Sequence, residues 1–285
     1  MARVHFLTFG DGSPQLRGAA ARLRSEALQT GIFVSADAYN LRRLRDEYPA
    51  FWAEHGDFLL SAKRGLGYFL WKPFLVSAKL NEIAEGDVLV YADAGCEFMP
   101  DNRQELIDWL PNAPEFDLSV VPLDSVHTNV RWTNSCCLAH LENTSEFLQQ
   151  PILAATFMFL KNTSCSRHLT ATWLQWSVYD DHCCLVDRPG DVERPEFEEH
   201  RHDQSIFSLV AYDLERQGEL HIKRIGIERT VDGAAAIRGM RNKTPFRRGG
   251  RERRWRLFSR SYNLAVKLFW NEQKYRADLY QSPRR

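Results

Sequence analysis

The chain has 285 residues, 44% hydrophobic and 12% aromatic, which is enough for one sizeable core and excludes a disordered polymer. Lys plus Arg and Asp plus Glu both total 37, so the formal net charge is zero, which excludes a surface built as a whole for nucleic acid. The balance is uneven, because residues 246–285 hold twelve basic and three acidic side chains, a net of +9 against −9 elsewhere.

Val4 to Phe9 is an apolar run closed by Gly10-Asp11-Gly12 and reads as a buried strand and a turn. It lacks the basic region and cleavage site of a signal peptide, so a cytoplasmic location is expected. Ser13-Pro14 starts a helix, with Leu16, Ala20, Leu23 and Ala27 at helical spacing and Gly31 at its end. Ile32 to Val34 reads as a short strand, and helical patterns follow at Leu41 to Glu47 and Pro73 to Ala84. Asp87 to Tyr91, Asp117 to Val121 and Ile152 to Leu160 read as strands, and Ser164 to Val178 as a helix. Residues 187–202 are polar and read as a loop. Asp203 is expected to cap a helix through Leu214, with Ile206, Leu209, Val210 and Leu214 on one face. His221 to Ile225 reads as a last strand. Strands alternating with helices predict an α/β fold with a mainly parallel sheet covered on both faces. The change in charge predicts a boundary near residue 240, giving a domain 1–240 and a basic amphipathic tail 241–285. The longest uncharged apolar run, Pro151 to Leu160, is too short to span a bilayer.

Three segments carry candidate chemistry. In Arg64 to Pro73, RGLGYFLWKP, Gly65 and Gly67 permit close backbone approach to a ligand, and Lys72 at a helix start can meet a phosphate. A glycine turn packed by aromatics is the competing reading. In Val88 to Cys96, Asp93 follows a buried strand directly, at the sheet edge where open α/β folds bind ligands, and a carboxylate there suits a divalent cation. A turn-capping aspartate is the alternative. In Glu199 to Ser205, EHRHDQS, extended backbone puts His200 and His202 on one face ahead of a helix; an exposed loop with an N-cap at Asp203 is the alternative. The six cysteines include the adjacent pairs Cys136-Cys137 and Cys183-Cys184 and no CxxC. That spacing is poor for zinc, even with His182 added, and reads as buried thiols in a reduced compartment.

Together these segments resemble a largely bacterial group of GT-A-type nucleotide-sugar glycosyltransferases, whose members carry WKP, Y-x-DAG and HRHDQS segments in this order. The likeness covers roughly residues 3–225. More distantly, the chain is similar to glycogenin-like and xyloglucan xylosyltransferase-like enzymes. The resemblance implies a Rossmann-like sheet with the donor, a UDP-sugar, across its carboxyl ends. It implies that Thr8 borders the base, and that Lys72, Thr156 and His202 help to bind the donor. Asp203 and Gln204 match a pair lining the sugar site and are the candidate catalytic residues. Asp93 matches the last acid of a DxD motif that holds manganese or magnesium, but Tyr91 replaces the first acid. Thr156 stands where a glycine is usual.

The implied reaction is transfer of a hexose or pentose to a glycan or lipid-linked acceptor with retained configuration. The competing functional reading is an inactive sugar-nucleotide or glycan-binding module. The tail alternates Trp255, Leu257, Phe258 and Trp270 with Arg254, Arg256, Arg260 and Lys267. It is expected to bring the protein to the inner face of an anionic membrane rather than to nucleic acid.

Overall fold

A computed structural model describes residues 2–62, 64–111, 115–141, 145–188, 190–226 and 236–246. The expected tail lies outside the described residues, apart from 241–246. The chain divides into one compact unit, Met1–Pro245, and a second, Phe246–Arg285.

The described residues form eight strands: β1 Val4–Phe9, β2 Phe33–Tyr39, β3 Val88–Ala92, β4 Glu97–Phe98, β5 Leu118–Pro122, β6 Leu153–Lys161, β7 Ile222–Arg224 and β8 Ile237–Arg238. The helices in chain order are α1 Pro14–Gln29, α2 Leu41–Glu47, α3 Pro49–Ser61, α4 Gly65–Tyr68, α5 Trp71–Glu82, α6 Arg103–Trp109, α7 Asn129–Trp132, α8 Ser135–Leu138, α9 Ser145–Leu148, α10 Ser164–His182 and α11 Asp203–Arg216. Six strands make one sheet in the order β2-β1-β3-β6-β5-β7, and β4 pairs with β8 apart from it. Within the six-stranded sheet β6 runs against its neighbours β3 and β5 and the other pairings are parallel; β4 and β8 are antiparallel. The expected α/β fold with a mainly parallel sheet is therefore observed.

The continuous apolar runs are explained by burial on both faces. On β3, Val88, Val90 and Ala92 pack into one core layer with Leu23 of α1 and Trp109 of α6. Leu89 and Tyr91 alternate into the opposite layer, with Leu75 of α5, Trp173 of α10 and Ile206 of α11. On β6, Phe157 and Phe159 face the first layer, and Met158 and Leu160 the second. Each such side chain contributes about 1.5–3 kcal/mol on burial. The alternation also puts Tyr91 on the face covered by α5 and α11.

Several local readings change. The strand expected at Ile32 to Val34 runs on to Tyr39, because it pairs with the whole of β1. Asp203 is not a side-chain cap; it lies in the first turn of α11, and the residue before it, His202, makes no cap hydrogen bond. Gly65 and Gly67 have φ of 60° and 78°. A Cβ on Gly65 would sit 2.6 Å from the Phe69 ring, and one on Gly67 2.6 Å from Leu59. These glycines thus accommodate the packing of an aromatic turn, not the approach of a ligand.

Candidate active site

β1, β3 and β5 end at one edge of the sheet, where the antiparallel β6 begins. Asp93, one residue beyond β3, is fixed there by its backbone N–H, which donates to the Thr156 carbonyl at 2.8 Å. Lys72 arrives from the first turn of α5 and Asp203 from the first turn of α11. The Lys72 Nζ lies 2.8 Å from Asp203 Oδ2 and 3.2 Å from Asp93 Oδ1. It also donates to the Ala155 carbonyl at 3.2 Å. The Tyr91 hydroxyl donates to Asp93 Oδ1 at 2.6 Å.

The electrostatics follow from burial. Lys72 and Asp203 are each only 3% exposed. Burial opposes the lysine charge, but Asp203 and Asp93 outweigh it and hold Lys72 protonated, above its ordinary range. Burial pushes the Asp203 carboxyl up to about 6 even against the pull of Lys72. Burial, reinforced by the Asp93 charge, keeps the Tyr91 phenol neutral and a donor.

Beside this group lies a cavity of about 260 Å³. Thr156 and Gln204 line it, together with Pro122, His127, Trp132, Arg201 and Arg241. Gln204 is set by a hydrogen bond from its Nε2 to the Leu153 carbonyl, 3.0 Å long. The Arg201 guanidinium stacks on the Trp132 ring, 4.1 Å from its centroid, and the His127 ring lies 5.5 Å from the same tryptophan. His127 Nδ1 and Trp132 Nε1 are buried without a hydrogen-bond partner. Arg241 is brought in by a backbone contact: Asn242 N donates to the Gly95 carbonyl at 2.9 Å. A Cβ on Gly95 would stand 3.2 Å from the Arg241 Cα, so the glycine after Asp93-Ala94 admits this segment.

The expected site residues thus separate into groups. Lys72, Asp93 and Asp203 converge, and Thr156 and Gln204 line the adjoining cavity. Lys72 is not free for a phosphate, since three acceptors inside the protein surround its ammonium group. Thr8 is wholly buried, with its hydroxyl unpaired. His202 is 1% exposed; its Nδ1 meets the Leu185 carbonyl at 2.9 Å, and Tyr68 packs on its ring. His200 is buried as well, between the Asn134 N–H at Nδ1 and the Cys184 carbonyl at Nε2. It is therefore the neutral Nε2–H tautomer. The histidines hold the segment in place from within; it is not an exposed loop. Sequence reading missed His127, Trp132, Arg201 and Arg241, of which only Arg201 stood inside a recognised segment.

The side chains around Asp93 do not fit a resident divalent cation. Such an ion takes several oxygen ligands, yet Lys72 and Tyr91 both occupy Asp93 Oδ1. Asp203 Oδ2 is paired with the same lysine, and Tyr91 supplies a neutral phenol where a second acid would stand. Lys72 is in effect the cation between the two carboxylates.

No protein-family model matches the sequence, and no curated protein does. Among solved structures, mouse xyloside xylosyltransferase 1 in its apo form aligns at 13% identity and a TM-score of 0.39, over 79% of this chain and 84% of that one. A glycosyltransferase involved in glycosylation of the major capsid of PBCV-1 aligns at 9% identity and a TM-score of 0.40, over 78% and 82%. At this identity no residue role transfers, and the site is read from this chain's own side chains.

Proposed function

We propose that this chain is a glycosyltransferase that moves a sugar from a nucleotide-sugar donor to a hydroxyl of a glycan or lipid-linked acceptor, with retention. The observation that carries the reading is the Lys72–Asp93–Asp203 group at the carboxyl edge of the sheet, beside a cavity lined by Thr156 and Gln204. A hydroxyl and an amide at the cavity wall, with the carboxylates of Asp93 and Asp203 beside it, suit hydrogen bonds to sugar hydroxyls. Lys72 acts as a positioning residue that holds both carboxylates in place.

The leaving nucleoside diphosphate needs positive charge as the bond to the anomeric carbon breaks. Arg201 and Arg241 supply it from the cavity wall. The acceptor oxygen forms the new bond, and its proton passes to the departing phosphate oxygen, so no protein base is required. In this reading the enzyme works without a resident metal.

The test is a thermal-shift screen of the full chain across nucleotide sugars, starting with UDP-sugars, followed by measurement of nucleotide release. Stabilisation by one donor with slow release to water supports the enzyme. Stabilisation without release in the presence of candidate acceptors favours a binding module of the same fold. If no nucleotide sugar stabilises the protein, the reading fails.

A further inference from the structure

Four of the six cysteines have no part in this chemistry. Their adjacent spacing argues against zinc in the sequence, but the fold removes the objection. Cys136 and Cys137 belong to α8, and Cys183 and Cys184 follow the end of α10. The Sγ atoms of Cys136, Cys183 and Cys184 all lie within 4.8 Å of one another. Those of Cys183 and Cys184 are 3.8 Å apart; Cys137, next to Cys136 on α8, is buried beside Cys184 but lies outside this mutual set of three. Four thiolates around zinc, each about 2.3 Å from the ion, stand roughly 3.8 Å from one another. A cluster of several irons places more atoms between its thiolates and needs a wider set.

The backbone carries a second sign. Asp180, Asp181 and His182 have φ of 43°, 51° and 64°, three consecutive non-glycine residues in the left-handed region. Each is unfavourable for an L-residue, whose Cβ crowds the following carbonyl there. This turn brings two consecutive thiols into one cluster, and such strain persists only where its surroundings over-determine it. Thiol–thiol contacts alone are weak; metal–thiolate bonds are not.

We propose that Cys136, Cys183 and Cys184 form a structural zinc site, with Cys137, next to Cys136 on α8, drawn in as the fourth thiolate. On binding, the four S–H protons pass to solvent and the site keeps a charge of −2. Arg188, whose Nη1 lies 3.8 Å from the Cys136 Sγ, offsets part of it. The ion would join α8 to the end of α10, and both ends of that join reach the HRHDQS segment. His200 meets the Cys184 carbonyl and His202 the Leu185 carbonyl, each at 2.9 Å. Asn134 accepts from the Cys137 N–H at 2.8 Å and donates to the Val186 carbonyl at 3.3 Å.

Elemental analysis of the full chain, purified without chelator, should find one zinc per chain. Cobalt exchanged into the site should give the visible bands and thiolate charge-transfer absorption of a tetrahedral tetrathiolate. Cys183→Ser should weaken zinc retention at least tenfold, whereas Cys165→Ser, outside the cluster, should leave it unchanged. If Cys183→Ser does not fold, the cobalt spectrum of the unaltered protein decides. A folded protein with negligible zinc and no cobalt bands overturns the proposal, and so does a disulfide between the two pairs in protein isolated under reducing conditions. None of these readouts depends on transfer activity, so the zinc site and the proposed reaction can fail separately.

Discussion

Lys72 shows how a residue can be legible while its role is not. WKP and DAG mark Lys72 and Asp93 in the sequence, and DQ marks Asp203, yet nothing in their spacing says that one ammonium lies between two carboxylates. That depends on β3, α5 and α11 meeting at one sheet edge, over separations of up to 131 residues. Removing a partner from a buried ion pair leaves an uncompensated charge, so Lys72→Met should destabilise the fold by about 3–5 kcal/mol, read from urea unfolding. Asp203→Asn keeps the shape and should lower transfer by a factor on the order of 10² while nucleotide affinity stays nearly unchanged. Parallel losses in both would mark Asp203 as structural. The same variant tests the raised pKa. Asp203 titrates near 6 in the folded chain against an ordinary 3.8, so between these values the folded state holds a proton that the unfolded state has released. This group's contribution to stability therefore falls as pH rises from about 4 to 6, and Asp203→Asn should remove that decline. Because Lys72 occupies the place between the carboxylates, transfer should survive chelation by EDTA. Abolition by EDTA with rescue by manganese would instead assign a catalytic metal.

Among the elements, the strands of the central sheet were the easiest to read, since burial on both faces leaves continuous apolar runs. Helix α1 was equally plain: Ser13 accepts from the Leu16 N–H at 3.1 Å, and Pro14 fills the first turn. By contrast, α3 and the short helices α7 and α8 were not recognised. Residues 123–135 carry no clear period, and their role comes from tertiary position, which puts His127 and Trp132 in the cavity wall. The HRHDQS segment was recognised as a motif and His202 was expected at the donor; in the structure both histidines are buried and hydrogen-bonded within the protein. Burial, reinforced by neighbouring His202, depresses the His200 pKa to about 3. Below 6.5 the unfolded chain gains a proton that the folded chain refuses, so stability falls as pH drops from about 6.5 towards 3. The slope from this one site approaches about 1.4 kcal/mol per pH unit. His200→Gln should flatten that acid limb of a pH series of unfolding midpoints; an unchanged limb would mean that His200 is protonated in the fold.

At the scale of the whole molecule the charge division becomes testable. Among the described residues no helix is long and apolar enough to cross a membrane, and the +9 segment 246–285 is distinct in composition from the unit before it. The first unit is held closed through residue 245: Arg22 donates to the carbonyls of Asn242 and Thr244, and Pro245 packs on Gly18. A truncation after Pro245 therefore leaves these contacts intact, whereas one at 240 would remove Arg241 from the cavity. Each basic residue near an anionic surface contributes about 1 kcal/mol, an attraction that salt screens. Trp255 and Trp270 are residue types that would add apolar anchorage among headgroups. Full-length protein should co-sediment with phosphatidylserine-containing vesicles at low salt and be released as salt is raised. It should ignore neutral vesicles. The chain ending at Pro245 should stay in the supernatant yet retain transfer to a short soluble acceptor. Full-length protein that remains soluble beside anionic vesicles at low salt would rule out the membrane role and leave the tail to packing or assembly.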